Sequence, residues 1–311
     1  MRALVTGGLG FIGSNFILEL IRKYPSIKIT NLDAKLSGSN VKNLHEVEKN
    51  KRYSFVHGNI TNQKLVDKLV STSDVVFNFA AESHVDRSIS NPKPFIESNI
   101  VGVYTILEAI RKYQKKLIQI STDEVFGSLK KGSADEDHNL NPSSPYSSSK
   151  ASAELLVHSY HVTYGADVLI TRCTNNYGPR QHQEKLIPKV IMLAKNNKKI
   201  PIYGSGKQVR DWIFVTDHCE AIMRVYEKGK SGLSYNIAGH NELDNNTIVR
   251  KILKMMNRPF DLIDHVQDRP GHDFRYSMNS SKIERELKWK PRYDFERGLR
   301  DTISWYMKNE K

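Results

Sequence analysis

The N-terminal stretch joins a short apolar segment, a glycine-rich turn and an amphipathic segment. Arg2–Thr6 predicts a buried strand, Gly7, Gly10 and Gly13 follow, and apolar residues then recur at helical spacing from Ile17. A strand, a glycine turn and a helix in this order are typical of dinucleotide-binding proteins, in which the helix N-terminus offers free N–H groups to a pyrophosphate. We therefore predict an α/β fold with a Rossmann-type, doubly wound parallel sheet.

A second apolar segment, residues 27–32, ends in Asp33, 20 residues after Gly13. At this position in dinucleotide-binding sheets an acidic side chain hydrogen-bonds the adenosine ribose. Because a carboxylate there repels a 2′-phosphate, the sequence favours NAD over NADP. The alternative is an ordinary turn followed by a helix N-cap.

A third feature is a pair of adjacent carboxylates at the end of another predicted strand. Thr122, Asp123 and Glu124 follow the apolar run Lys116–Ile120. Ligands of open α/β sheets bind at the carboxyl ends of the strands. Neighbouring carboxylates repel, so one can stay protonated while the other ionises, which would supply a general acid and a general base. The alternative is a pair of solvated loop charges.

A helix is predicted to open with Tyr146, four residues before Lys150. This spacing places both side chains on one helix face. A lysine near a phenol, beside a cationic nicotinamide ring, would favour the phenolate, so Tyr146 could remove a hydroxyl proton as a hydride leaves for NAD. A tyrosine and a lysine four residues apart are common, so the pair gains meaning from the two preceding motifs.

Composition excludes several classes of protein. The 311 residues are 39% hydrophobic and 26% charged, with no apolar run of membrane-spanning length and no apparent signal peptide. Only Cys173 and Cys219 are present, which favours a reducing, cytoplasmic location. The net charge of +13 comes mostly from scattered lysines without a nucleic-acid-binding motif, so we expect solvated basic faces that attract an anionic substrate.

The character of the chain changes near residue 177, where segments become shorter and more polar. We predict a cofactor domain over residues 1–177 and a substrate domain over 178–311. Arg210 and Arg269 are candidate diphosphate clamps, because guanidinium forks match phosphate oxygens. The alternative is solvated surface ion pairs. The spacing of His84, Asp86 and Arg87 fits a hydrogen-bonded loop better than a metal site.

The glycine spacing resembles the extended branch of the short-chain dehydrogenase/reductase superfamily. Within it, the chain resembles the dTDP-glucose 4,6-dehydratase family from end to end, through TGGLGFIG, FAAESHVDRSI, STDEVFG, YSSSK, NNYGPRQHQEKLIP, IYGSGKQVRDW and DRPGHDFRY. Asn59 departs from the pattern, because an acidic residue usually contacts the adenine there. We expect the amide to hydrogen-bond the adenine amino group instead, with a small effect on affinity.

The resemblance implies NAD as cofactor, a nucleotide-sugar substrate, no nucleic-acid or membrane partner, and a homodimer paired through helices over 94–113 and 146–164. It also implies that part of 210–230 returns to the cofactor domain. We predict Ile100, Val103, Tyr104, Leu107 and Ile110 on the apolar side of the first helix. The implied cofactor site comprises Gly7, Gly10, Phe11, Ile12, Gly13, Asp33, Ala34, Lys35, Asn59, Ile60, Phe79, Ala80, Ala81, Ser83, Ser98, Tyr146, Lys150 and Asn176. The implied substrate site comprises Ser83, His84, Thr122, Asn175, Lys185, Leu186, Pro201, Tyr203, Arg210, Asn245, Arg269 and His272.

The resemblance also implies a mechanism. Tyr146 takes the C4 hydroxyl proton as NAD accepts the C4 hydride, and Thr122 orients the C4 oxygen. Glu124 then abstracts the C5 proton, and protonated Asp123 donates to the leaving C6 hydroxyl. Finally, the hydride returns to C6 and a proton returns to C5. Two other interpretations remain: an epimerase or decarboxylase of the same superfamily, and a non-catalytic NAD-binding protein.

Overall fold

Apolar and amphipathic segments alternate along the chain, and the fold alternates strands and helices accordingly. The computed structural model describes residues 1–268 and 273–309. The strands are β1 (Arg2–Thr6), β2 (Lys28–Asp33), β3 (Tyr53–His57), β4 (Val75–Asn78), β5 (Lys116–Thr122), β6 (Val168–Cys173), β7 (Asn175–Tyr177), β8 (Ile200–Tyr203), β9 (Val209–Phe214), β10 (Ser234–Ile237), β11 (Glu242–Asp244) and β12 (Ile263–Val266).

The α-helices fill the connections between these strands. They are α1 (Phe11–Lys23), α2 (Gln63–Ser71), α3 (Val85–Ser90), α4 (Lys93–Ile96), α5 (Gly102–Tyr113), α6 (Pro145–Tyr164), α7 (Leu186–Lys195), α8 (Val215–Lys228), α9 (Asn245–Met255), α10 (Ser281–Leu287) and α11 (Phe295–Asn309). Short 3₁₀ segments occur at Val41–Val47, Asp123–Phe126 and Phe260–Leu262, and a π-helical turn at Glu97–Val101.

The main sheet is parallel and doubly wound, which confirms the predicted fold class. Within the described residues it has seven strands in the order β10-β6-β5-β4-β1-β2-β3. Each adjacent pair is parallel. The strand order reverses between β1 and β4, which makes the carboxyl end of β1 the expected ligand-binding edge.

Alternating side chains of β1 enter two different cores. Ala3 and Val5 belong to the cluster under α1 and α8, whereas Leu4 belongs to the cluster under α2, α5 and α6. Successive strand residues point to opposite faces, so a continuously apolar strand is buried on both sides. Helices therefore cover both faces of the sheet, which leaves the strand ends as its open edge.

The predicted helix over 94–113 forms as α4, the π-helical turn and α5. Asn99 in that turn points inward and donates through Nδ2 to Ser149 Oγ at 2.8 Å. The predicted apolar side was wrong for Tyr104, which is 47% exposed. The buried stripe instead passes through Val103 and Leu107, beside which Tyr104 faces outward.

The second half of the chain builds its own small core and also returns to the main sheet. β9 pairs with β7 and β11, β12 pairs with β8, and Tyr177, Trp212, Phe214 and Phe295 pack together. In contrast, β10 pairs with β6 in the main sheet, and α8 packs against α1. The domain boundary near residue 177 stays a prediction.

Candidate active site

The carboxyl ends of the parallel strands open into a cleft of about 300 Å³. It lies at the switch point between β1 and β4, where doubly wound sheets bind ligands. The predicted site residues that line it are Gly7, Gly10, Phe11, Ile12, Gly13, Asp33, Ala34, Asn59, Ile60, Phe79, Ala80, Ala81, Ser83, Ser98, Thr122, Asp123, Glu124, Tyr146, Lys150, Asn175, Asn176 and Lys185.

The glycine turn forms one wall of the cleft and admits no side chains. Gly7 has φ +69°, and a Cβ on it would lie 2.6 Å from the backbone nitrogen of Ala80. A Cβ on Gly13 would lie 2.5 Å from the carbonyl oxygen of Gly7. Helix α1 then begins after Gly10, without a side-chain cap or an acidic residue in its first turn. Its free N–H groups and positive dipole end suit a pyrophosphate.

Asp33 ties the end of β2 to the glycine turn. It is buried, and its Oδ2 accepts a hydrogen bond from Leu9 N–H at 3.0 Å. The backbone N–H of Lys35 and the hydroxyl of Ser39 each donate to Oδ1 at 2.8 Å. Because a carboxylate has about four acceptor sites, these three bonds leave capacity for a ribose hydroxyl.

Asn59 lines the same end of the cleft, but its contacts change the expected recognition of adenine. Its Oδ1 accepts from the backbone N–H and the hydroxyl of Thr61, at 3.0 and 3.1 Å. The adenine amino group would also need this oxygen as its acceptor. The Nδ2 donor of Asn59 is the better match, and it suits a ring nitrogen of the base.

The carboxylates at the end of β5 lie in different environments. Asp123 is 3% exposed and accepts a hydrogen bond from Thr122 Oγ1 at 3.1 Å through Oδ1, whereas its Oδ2 is buried without a partner. Burial, reinforced by nearby Glu124, raises the pKa of Asp123 to about 8. The side chain is therefore protonated at neutral pH and can act as a general acid.

Tyr146 and Lys150 lie in the first turns of α6. The start of this helix is stabilised by a capping box, in which Ser144 and Ser147 each accept a hydrogen bond from the other's backbone N–H. Lys150 Nζ donates to the Ile120 carbonyl at 2.6 Å, and burial lowers the pKa of Lys150 to about 8. Burial and then Glu124 raise the pKa of Tyr146 well above its ordinary value. The predicted preference for the phenolate includes the charge of a nicotinamide ring and stays a prediction.

Several predicted site residues lie outside the cleft wall. Lys35 contributes only its backbone N–H to Asp33, while its ammonium lies 5.1 Å from the centre of the Phe55 ring. His84 and Tyr203 line a neighbouring pocket, where His84 Nε2 lies 3.3 Å from a Glu184 carboxylate oxygen. Leu186 and Asn245 begin α7 and α9, and Pro201 lies on β8.

Of the two arginines predicted to bind the diphosphate, Arg210 lies within the described residues and Arg269 does not. Arg210 is buried, and its guanidinium donates to the carbonyls of Val209, Asp273 and Phe274 at 2.8 to 3.2 Å. These bonds orient it towards the protein rather than along the cleft wall, so its clamp role stays a prediction. Arg269 and His272 lie outside the described residues.

Cleft residues that the sequence reasoning missed include Glu82, Ser121, Cys173, Thr174, Gln181 and His182. Ser121, Cys173 and Thr174 stand at the ends of β5 and β6, so their position at the ligand-binding edge was the available signal. Glu82 is half-buried, and burial raises its pKa. Gln181 and His182 lie within the NNYGPRQHQEKLIP motif, which was the available signal for these two residues.

Comparison with known proteins decides the family. The family model described as GDP-mannose 4,6 dehydratase matches residues 4–302. A dTDP-glucose 4,6-dehydratase from Mycobacterium tuberculosis is 46% identical over 314 residues, which cover 100% of this chain and 94% of that protein. The chain belongs to the dTDP-glucose 4,6-dehydratase family.

Solved structures of dTDP-glucose 4,6-dehydratases share this fold. The Streptomyces venezuelae protein, with NAD and TYD bound, is 42% identical, has a TM-score of 0.97, and the match covers 99% of this chain and 98% of that one. The Bacillus anthracis protein, in complex with NAD, is 46% identical with a TM-score of 0.94, covering 100% and 97%. In the described part of this family member, no helix is long and apolar enough to cross a membrane.

Proposed function

We propose that this chain converts dTDP-glucose into dTDP-4-keto-6-deoxyglucose and water. The observation that carries the proposal is the arrangement at the end of β5. A protonated Asp123 and the adjacent Glu124 line one cleft with Tyr146, so oxidation at C4 and elimination across C5 and C6 have separate proton-transfer groups. The resemblance in sequence supports the same reaction.

The residues at the glycine-turn end of the cleft fit NAD. The crowded glycines, the uncapped N-terminus of α1 and the Asp33 carboxylate match a pyrophosphate and a ribose. When bound, NAD would accept a hydride from C4 of the sugar and later return it to C6.

Each proton transfer is assigned to a side chain of this protein. Tyr146 removes the C4 hydroxyl proton, and Thr122, which lines the same cleft, orients the same oxygen. The C4 ketone makes the C5 proton acidic, so Glu124 can remove it. Asp123 then protonates the departing C6 hydroxyl through the oxygen that has no partner in the described structure. Glu124, protonated by the earlier step, supplies a proton to C5 when the hydride reaches C6.

The nucleotide part of the substrate is assigned to the opposite side of the cleft. Lys185 Nζ lies 3.1 Å from the Ser83 carbonyl, so its charge lies at the cleft mouth, where a diphosphate can reach it. Asn175 Oδ1 lines the cleft and is buried without a partner, which suits a hydroxyl donor of the sugar or the nucleoside.

Turnover of a panel of dTDP-, UDP- and GDP-hexoses tests the proposed reaction. The 4-keto-6-deoxy product absorbs in alkali, and we expect this absorbance with dTDP-glucose. Formation of dTDP-galactose instead would identify an epimerase, which needs no acid–base pair for elimination. Binding of NAD without turnover of any sugar would identify a non-catalytic NAD-binding protein.

Cofactor preference follows from Asp33. The wild-type protein should bind NAD at least about 10-fold more tightly than NADP, because a buried carboxylate opposes a 2′-phosphate. Asp33→Asn should reduce the ratio of NAD affinity to NADP affinity. Ser39→Ala removes a hydrogen-bond donor to the same carboxylate without removing its charge, so the ratio of affinities should be preserved. Calorimetric titration measures both constants, and equal affinities in the wild type would rule out this role.

A homodimer is proposed from the outer face of α4, α5 and α6. Ile96, Tyr104, Leu155, Val162 and Tyr164 are 47 to 69% exposed there, an unusual concentration for a solvated surface. Leu155→Glu should therefore produce a monomer in light scattering, whereas Met307→Glu on α11 should remain a dimer. A monomeric wild type at micromolar concentration would contradict the proposal.

A further inference from the structure

A fully buried histidine is hydrogen-bonded to Asn176 of the cleft wall and has no place in the mechanism above. His218 on α8 is 0% exposed, and its Nδ1 lies 2.9 Å from Asn176 Oδ1. Its Nε2 has no hydrogen-bond partner among the described residues. Burial lowers the pKa of His218 to about 3, so the ring is neutral near neutral pH.

The neighbouring hydrogen bonds determine where the imidazole proton lies. Asn176 Nδ2 donates to the Thr174 carbonyl at 3.0 Å, so its Oδ1 faces His218. Oδ1 can only accept, and His218 Nδ1 must therefore carry the hydrogen. A neutral imidazole has a single N–H, which leaves Nε2 bare and agrees with its lack of an acceptor partner. Rotating the Asn176 amide by 180° would place its Oδ1 against the Thr174 carbonyl oxygen, and two acceptors would then face each other without a hydrogen between them.

Asn176 connects this histidine to the catalytic edge of the sheet. It lines the cleft, as does Cys173, three residues earlier at the end of β6. The Cys173 thiol donates to the Ser121 carbonyl at 3.5 Å, and Cys173 pairs with Thr122 across the two strands. The hydrogen-bonded pair of His218 and Asn176 therefore follows the strand that neighbours the one carrying the acid–base pair.

The pair of His218 and Asn176 lies on the same side of the switch point as the reacting groups. Asp33 ends β2 on one side of that point, whereas Lys150 bonds to Ile120 on β5 and Asn176 follows β6 on the other side. We propose that His218 is a positioning residue for the nicotinamide end of the cofactor site, because its Nδ1–H holds the Asn176 amide in one orientation on the cleft floor. This inference rests on the proposed function, since it takes NAD as the cofactor.

Two substitutions at His218 separate hydrogen bonding from packing. His218→Leu fills the buried site but cannot donate, which leaves Asn176 Oδ1 unsatisfied and should raise the dissociation constant for NAD about 10-fold. In His218→Asn the amide N–H can occupy the position of Nδ1, so NAD affinity should return to about twofold of wild type. Ile222→Ala removes buried atoms from the same helix without deleting a hydrogen bond to Asn176, and NAD affinity should be unchanged.

Calorimetry with NAD alone, without sugar, provides the readout, together with urea unfolding of each variant. Wild-type affinity in His218→Leu, or equal losses in the Leu and Asn variants, would overturn the inference. If the wild type itself does not bind NAD, the proposed function fails instead, so the two failures are distinguishable.

Nitrogen NMR of the wild-type protein tests the proton position even if a variant does not fold. Long-range ¹H–¹⁵N spectra of ¹⁵N-histidine-labelled protein should contain one neutral ring protonated at Nδ1 that does not titrate down to about pH 5, as expected for a buried histidine. The His218→Asn spectrum assigns that signal by its loss. A ring at this site protonated at Nε2, or at both nitrogens, would overturn the inference.

Discussion

Asp123→Asn should stop the elimination of water while leaving the oxidation of the sugar nearly intact. The amide preserves the shape of the side chain but cannot deliver a proton to the C6 hydroxyl. General acid catalysis of this kind is worth about 100-fold or more in rate. The 4-keto-glucose intermediate should therefore accumulate, and absorbance of the reduced nicotinamide should persist after mixing with dTDP-glucose.

Glu124→Gln should block the same elimination at a different atom. If Glu124 removes the C5 proton, exchange at C5 in deuterated water should be suppressed in Glu124→Gln and much less affected in Asp123→Asn. Equal loss of exchange in both variants would contradict separate acid and base roles. Unchanged elimination in both would exclude the dehydratase mechanism.

The pH dependence of elimination should follow from the same carboxyl group. The raised pKa of Asp123, about 8, keeps the acid protonated below that pH. As the pH rises through about 8, Asp123 loses its proton and the elimination rate should fall. In Asp123→Asn, this fall should be absent from the residual rate.

Tyr146→Phe should remove the initial oxidation of the sugar. The variant lacks the phenol oxygen that takes the C4 hydroxyl proton, a contribution of about 10²–10⁴-fold. It keeps the ring that packs edge-on against Phe95, so folding should be preserved. Stopped-flow absorbance of the reduced nicotinamide measures the step, and NAD affinity should stay within a few-fold of wild type.

Tyr160→Phe is the matched control for this substitution. Tyr160 lies on the same helix, is also buried, and donates its hydroxyl to Glu108 at 2.6 Å, away from the cleft. Its loss should leave the oxidation rate near wild type. Comparable oxidation rates in Tyr146→Phe and wild type would mean that another group serves as the base at C4.

Local patterns in the sequence predicted the part of the fold that positions the site. The strand over Arg2–Thr6, the glycine turn and the helix that carries Tyr146 and Lys150 all form as expected. Each is determined by features within a few residues: apolar runs, crowded glycines and an N-terminal cap. The carboxyl ends of the strands then lie at one edge of the sheet, because the strands are parallel.

Features that depend on distant contacts could not be predicted. The return of β10 to the main sheet depends on pairing with β6, more than 60 residues earlier in the chain. The raised pKa of Tyr146 depends on burial, which residue spacing does not report. The orientation of Arg210 depends on carbonyls at 273 and 274, and the bond between His218 and Asn176 joins two segments 42 residues apart.

The fate of the C4 hydrogen tests dehydration most directly. dTDP-glucose labelled with deuterium at C4 should yield a 4-keto-6-deoxy sugar with the deuterium in its C6 methyl group and no net consumption of NAD, as measured by mass spectrometry and NMR. Recovery of the deuterium at C4 of an epimerised sugar, or accumulation of reduced cofactor in proportion to product, would contradict the proposed reaction.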